Sequence, residues 1–268
     1  ESGYMASQNQ KMKVAAIEAM WHTEKPPASF TVFGLPDLKD HVTRFAIKLP
    51  WVLGLVATRS VDETVPGIDD LEAKSMGRIE SGIIAYGALE RLRHDSNNAA
   101  LMAQFDAHKA DLGYALLLKR YTDDPVHATN AQIEEAARDT VPDVPLLFWS
   151  FRFMVGLGFY FIALFTYGFY LASRRRLDKH KWFLRAALWS LPLPWIACEL
   201  GWIVAEVGRQ PWTIDGVLPT FLSVSSVTAT QVSTTLAGFV VFYTALLIVD
   251  MVLMVKYIRL GPSEADAG

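Results

Sequence analysis

The sequence predicts an all-α integral membrane protein, in which an extramembrane helical region is followed by three transmembrane helices that form part of a larger helical bundle. Three observations carry that expectation: long uncharged apolar runs occur only in the second half, the two halves carry opposite charge, and a short basic loop follows the first run. Crossing about 30 Å of hydrocarbon takes about 20 mainly apolar residues. Residues 153–173 contain no charge, 186–207 only Glu199 and Glu206, and 236–256 only Asp250 before Lys256. Residues 1–145 carry 15 Lys and Arg against 21 Asp and Glu, whereas 146–268 carry 10 against 7. The halves are therefore built for different surroundings.

Taken in order, residues 11–21 (KMKVAAIEAMW) predict a short helix. Residues 30–36 predict a loop, bounded by Pro26-Pro27 and Gly34-Leu35-Pro36, because proline removes a donor and restricts the residue before it. Helical spacing marks 69–93 and 99–121, the latter through Leu101, Phe105, Leu112, Leu116 and Leu117, with His94-Asp95-Ser96-Asn97-Asn98 as the polar break between them. A further helix is expected over 129–139, stopped before Pro142 and Pro145. The domain plan is an outer region 1–145, spans 146–173, 185–208 and 236–257, a basic loop 174–184, a connection 209–235 and a tail 258–268. Arg174, Arg175, Arg176, Lys179 and Lys181 crowd the 174–184 loop, and short loops dense in such residues face the cytoplasm. Lys256 and Arg259 then share that side, leaving 1–145 and 209–235 on the other.

Several chemistries are poorly served. The single cysteine, Cys198, rules out an internal disulfide, and there is no GxGxxG, phosphate loop, CxxC or HExxH. An acidic outer region with one short basic juxtamembrane cluster makes nucleic acid a poor partner. ESGYMASQNQK lacks the basic and apolar order of a signal peptide and a starting Met, so the chain is expected to begin inside a longer gene product.

The second span holds the most specific pattern. At about 100° per residue, Trp195, Glu199, Trp202, Glu206 and Arg209 fall within about 80° of arc. Carboxylates at membrane depth face a bundle interior, a cavity or a cofactor. The plain alternative is that Glu206 and Arg209 pair near the helix end, and Glu199 divides between a functional and an internally bonded acid. Met154 is a soft neutral ligand suited to iron, with the cationic Arg152 close by, yet by spacing alone Met154 is a packing residue. Lys13 and Glu18 are about 140° apart around their helix, so acting together would require a ligand between them or a bend. A Glu can accept a proton from a quinol and a Lys can hold a developing quinone oxygen, while the plain reading is a solvated amphipathic helix.

The segment Gly201-Trp202-Ile203-Val204-Ala205-Glu206-Val207-Gly208-Arg209-Gln210-Pro211-Trp212 resembles the signature of subunit I of the cytochrome bd ubiquinol oxidases. The resemblance continues through Lys13-Val14-Ala15-Ala16-Ile17-Glu18, Pro27-Ala28-Ser29-Phe30-Thr31-Val32-Phe33-Gly34, Leu55-Val56-Ala57-Thr58-Arg59-Ser60, Asp111-Leu112-Gly113-Tyr114 and Leu191-Pro192-Leu193-Pro194-Trp195. It implies that residues 1–145 are a periplasmic Q-loop of the long form and that the spans lie in the bacterial cytoplasmic (inner) membrane. It implies that Lys13 and Glu18 form the quinol site and that Met154 ligates a low-spin haem b, with Arg152 near its propionates. Glu206 then ligates a high-spin haem b beside haem d, with Arg209 near that haem pair and Trp202 packed against it. The implied activity passes quinol electrons through low-spin and high-spin haem b to haem d, reduces oxygen to water, and contributes to proton motive force without pumping. The family's histidine ligands have no counterpart here, so the implied partners are the N-terminal part of subunit I and subunit II, with possible small accessory subunits, ubiquinol and membrane lipid. Two rivals stand beside this reading: a cofactor-free assembly fragment, and a quinone-binding subunit of another oxidoreductase.

Overall fold

The computed structural model describes residues 2–60 and 62–261, so residues 262–268 of the expected tail lie outside the described residues. It divides into two units, residues 1–223 and residues 224–268. In the first, helices α1 (Ser2–Asn9) and α2 (Lys11–Glu18) precede an antiparallel hairpin of β1 (Phe30–Asp37) and β2 (Val42–Leu49), then α3 (Val52–Ala57). Helices α4 (Ile68–Leu92), α5 (Ala99–His108), α6 (Leu112–Leu117) and α7 (Asn130–Arg138) complete the outer region. Membrane-length α8 (Val144–Ser173) follows, then α9 (Lys181–Trp189), α10 (Leu193–Val207) and a small pair of strands, β3 (Trp212–Ile214) and β4 (Leu218–Pro219). The second unit is helix α11 (Ala229–Leu260), opened by a capping box in which Thr228 and Gln231 satisfy each other's backbone N–H groups.

The hairpin replaces the loop expected over 30–36. Thr31, Val32 and Phe33 face a partner strand rich in β-branched and aromatic residues, Val42, Thr43, Phe45 and Ile47. Gly34 and Pro36 read locally as breakers, but register irregularities between Thr31 and Leu35 absorb the first, and Pro36 lies near the turn end of the two-stranded ladder. The turn is fixed by Asp37 Oδ1, which accepts from the backbone N–H of Lys39 at 3.0 Å and of Asp40 at 3.2 Å.

The helix expected over 99–121 is also divided. It bends at residues 109–111, where Asp111 Oδ1 takes a 2.6 Å bond from Arg78 Nε on α4. The second span, expected as one helix over 186–207, breaks between Trp189 and Leu193, because Pro192 and Pro194 have no N–H to continue the ladder. Ser190 Oγ closes the break, donating to Ala186 O at 2.6 Å and meeting Tyr160 Oη of α8 at 2.6 Å.

Burial concentrates in the outer region and at its junction with α8. Ala15 and Ala16 of α2, Trp21, Ile68 of α4, and Val144, Leu147 and Phe148 of α8 form one cluster. Each large side chain buried there contributes about 1.5–3 kcal/mol. Beyond α2 the chain turns through Ala19 (φ 47°), and the carbonyls of Met20 and Trp21 accept from Ile68 N and Asp69 N at 2.8 and 3.0 Å. Those two N–H groups of the α4 start are thereby satisfied, and α2 is held against α4 and α8 together. Three helical stretches, Val144–Ser173, Lys181–Val207 and Ala229–Leu260, are long and apolar enough to cross a membrane, and 17%, 6% and 0% of their most apolar windows are buried. In the first unit the apolar sides of these helices therefore face outward, as lipid or further helices require.

Candidate functional site

Helix α2 brings its two candidate residues to two different membrane helices. Glu18 lies against α8, where its Oε2 accepts from Thr31 N at 2.9 Å and sits 3.2 Å from Arg152 Nη2. Arg152 Nη1 donates to Ile17 O at 2.6 Å and Phe148 O at 3.0 Å, and Nη2 also donates to Thr31 O. The guanidinium carbon stands 3.4 Å from the Phe148 ring centroid. One fork thus ties α2, β1 and α8, with the Arg152 and Glu18 side chains only 7% and 3% exposed. Burial pushes the Glu18 carboxyl up to about 7, against the downward pull of Arg152 and of the Thr31 N–H. Both bonds fall on Oε2, so Oε1 is the oxygen free to take a proton.

Lys13, on the other side of α2, reaches the end of α10. Its Nζ donates to Ala205 O at 3.0 Å and to Gln10 Oε1 at 2.9 Å. The carbonyls of a helix C-terminus favour a cation, which explains the position. Burial lowers the Lys13 pKa, as does nearby Arg209, while Glu206 opposes them. The separation of about 140° around α2, which by itself argued against cooperation, is what lets one short helix touch two spans. Lys13, Arg209, Lys74, Arg78 and Asp215 line a polar cavity of about 240 Å³ at this junction.

Gly208 makes the Lys13 contact possible, since a Cβ there would lie 2.6 Å from Lys13 Cε. Gly208→Ala is expected to push Lys13 off Ala205 O and to strain the end of α10, where the new Cβ would also lie 2.6 Å from Val204 O, while leaving Glu18 in place. A structure of that variant checks this: Lys13 still on Ala205 O would show that it does not need this seat.

Glu206 and Arg209 do pair, each a little over one-third exposed, so the plain reading of that couple is realised. The pair does not account for the rest of the stripe. Trp195 and Trp202 are 71% and 62% exposed, and Glu199 is exposed as well. Met154 faces α10 at Gly201, where a Cβ would come within 3.2 Å of its sulfur. Arg152 Nε and Arg209 Nε are buried with no acceptor. Among the described residues no three His, Cys, Asp or Glu side chains are grouped to hold a metal ion. A lone thioether and a lone carboxylate beside unsatisfied guanidinium N–H groups and uncovered indoles would suit a tetrapyrrole, whose ring nitrogens complete a metal's ligand set and whose carboxylates suit arginine.

Sequence reasoning singled out the seven candidates Lys13, Glu18, Arg152, Met154, Trp202, Glu206 and Arg209; the structure joins Glu18 to Arg152 between α2 and α8 and brings Lys13 to the α10 end beside Glu206 and Arg209, while Met154 packs at Gly201 and Trp202 stays exposed. It missed Thr31, which holds both members of the ion pair through its backbone, and the two glycines that admit Lys13 and Met154. The signal for the glycines was their presence within otherwise helix-favouring runs.

Comparison with known proteins identifies the family. The profile of the family described as cytochrome bd terminal oxidase subunit I matches residues 1–262. Cytochrome bd-II ubiquinol oxidase subunit 1 of Escherichia coli (strain K12) is 41% identical over 266 residues, covering 99% of this chain and 52% of that protein. Cytochrome bd ubiquinol oxidase subunit 1 of Bacillus subtilis (strain 168) is 28% identical over 265 residues, 97% of this chain and 45% of that protein. The chain thus spans about half the length of the curated relatives it matches. With three membrane-length helices and bacterial relatives of this kind, it is a multi-pass protein of the bacterial inner membrane. The chain belongs to the cytochrome bd terminal oxidase subunit I family.

Proposed function

We propose that this chain is the quinol-binding and haem-ligating portion of subunit I of a quinol:oxygen oxidoreductase, with residues 1–145 on the periplasmic side. The observation that carries the reading is the buried Glu18–Arg152 pair, which seats a proton acceptor of α2 against α8, the helix that also carries Met154. Lys13 has spent two of its three N–H donors, leaving one for a quinone oxygen. Glu18 Oε1 takes the quinol proton, and Arg152 steadies the carboxylate between turnovers.

Met154 would hold a low-spin haem b and Glu206 a high-spin haem b, with Arg152 and Arg209 as the cations for their propionates and Trp202 as a packing residue of the high-spin site. When bound, these groups with haem d supply one-electron transfer from ubiquinol to oxygen, contributing to proton motive force by charge separation. Haem d is held by residues outside this chain, so the N-terminal part of subunit I and subunit II are required partners, with possible small accessory subunits and membrane lipid around them. The two histidine-free ligand positions and the short cationic seat for quinol favour this over a cofactor-free assembly role.

The pH profile tests the reading. Glu18 acts as a base only when ionised, so quinol oxidation should rise with pH through about 7. Stability runs the other way. Its folded value lies above the ordinary 4.5, so its contribution to the fold is full below 4.5 and lost as pH rises through about 7. Glu18→Gln should flatten the rising limb and lower the rate by about 10²-fold. Unchanged rate and profile in that variant would overturn the assignment.

A further inference from the structure

We propose that protons taken from quinol at Glu18 leave by way of His41, Asp69 and His22, a relay of two imidazoles on one carboxylate at the mouth of the cavity above Glu18. The inference rests on the quinol reading of Glu18. That cavity, about 250 Å³, is lined by Glu18 and Thr31 at one side and by His41 and His22 at the other. It exceeds by far the ~10–15 Å³ that one water needs by the same kind of measure, and its polar walls suit water.

The relay is built from bonds that fix its direction. His41 Nδ1 lies 2.8 Å from Asp69 Oδ1, and His22 Nδ1 lies 3.0 Å from Asp69 Oδ2. Both imidazoles therefore spend Nδ1 on the same carboxylate and keep Nε2 for other partners. Trp21 stacks on the His41 ring at 4.7 Å and 20°, which fixes the ring plane. Side-chain exposure climbs from 3% at Glu18 to 45% at His41 and 76% at His22, so the three groups run from the interior to the surface.

Charged neighbours flank both ends of the path. Arg152 faces Glu18 from α8, and Glu24, paired with Lys48, lines the same cavity. Beside the imidazoles, Glu72 stands near Asp69 and His41 with Arg138 at 3.9 Å, and Asp70 stands near His22, held by Thr23. Burial raises the Glu18 carboxyl, which lets it hold a proton briefly before passing it on.

In the transfer, the quinol O–H bond breaks and the proton bonds to Glu18 Oε1. A cavity water carries it to His41 Nε2, the His41 Nδ1 proton passes to Asp69, Asp69 hands a proton to an unprotonated His22 Nδ1, and His22 releases its Nε2 proton outside. Each quinol gives two protons this way and two electrons to the oxidase's redox groups, and nothing else is consumed.

The test uses the complete oxidase in native-like membranes with a short-chain ubiquinol as donor. His41→Ala and Asp69→Asn should each slow ubiquinol-driven oxygen uptake about tenfold, a modest share of what proton transfer can contribute. Added imidazole should restore the His41→Ala rate, a recovery that a purely structural histidine would not show. Unaltered turnover in both variants, or a His41→Ala loss that imidazole leaves untouched, would overturn the relay. Glu18→Gln measured alongside separates the two readings. If it keeps full turnover, the quinol site itself falls; if it loses turnover while both relay variants keep theirs, the relay alone falls.

Discussion

Replacing Arg152 by alanine is expected to release α2 and the hairpin from α8, at a cost of about 3–5 kcal/mol. The size follows from what the guanidinium does. It bonds three backbone oxygens, those of Ile17, Thr31 and Phe148, and faces the Glu18 carboxylate at 3.2 Å. With the two side chains 7% and 3% exposed, water cannot take over either role. Removing Arg152 would strand a buried acid and three carbonyl bonds at once. Lysine would recover little, because a point charge on a flexible stem cannot reproduce the fork. Hydrogen exchange in the assembled oxidase should show large acceleration over Lys11–Glu18 and Phe30–Asp37. Adding Glu18→Gln to Arg152→Ala should change little further, since without the pull of Arg152 burial already keeps the Glu18 carboxyl protonated. Protection unchanged in Arg152→Ala would mean that the buried cluster around Phe148 holds the junction without the ion pair.

The second large effect belongs to Glu206. Glu206→Ala is expected to remove or disorder the high-spin haem b while leaving the low-spin haem b, whose proposed ligand from this chain is Met154 on a different helix. Glu206 sits near the end of α10 with Arg209 as its partner in the pair, so its loss frees Arg209 without disturbing the α8 junction. Redox difference spectra of the purified complex read both haems separately. Retention of both signals at wild-type intensity would defeat the ligand assignment and leave the Glu206–Arg209 pair as a helix-end ornament worth about 0.2–0.5 kcal/mol.

How much of this was legible in the sequence depended on range. Membrane spans are local properties of about 20 consecutive residues, so 153–173, 186–207 and 236–256 could be read directly. The cap at Thr129 and the helix after it were equally local, and the capping box with Gln132 is present. The β1–β2 hairpin was hidden because Gly34 and Pro36 argue against a strand until a partner strand with matching bulges is known. The division of the second span at Pro192 and Pro194 was visible in principle, but apolar continuity outweighed it.

The site was legible only as residue types. Trp202, Glu206 and Arg209 could be grouped because they share one helix face. Glu18 and Arg152 are 134 positions apart, and Lys13 and Ala205 are 192 apart, so no periodicity could join them. Family resemblance marked Lys13 and Glu18 as a pair, but the geometry gives each its own membrane helix. His41 and Asp69, 28 positions apart, lie outside every motif the sequence offered.

A density map of the complete oxidase, with iron located by its anomalous signal or by strong density peaks, addresses the central claim most directly. The account predicts one iron at the Met154 thioether and a second at the Glu206 carboxylate, with Trp202 beside the second ring. A map in which the Trp195–Arg209 face of α10 meets only lipid or protein, with no tetrapyrrole in reach of either ligand, would contradict it.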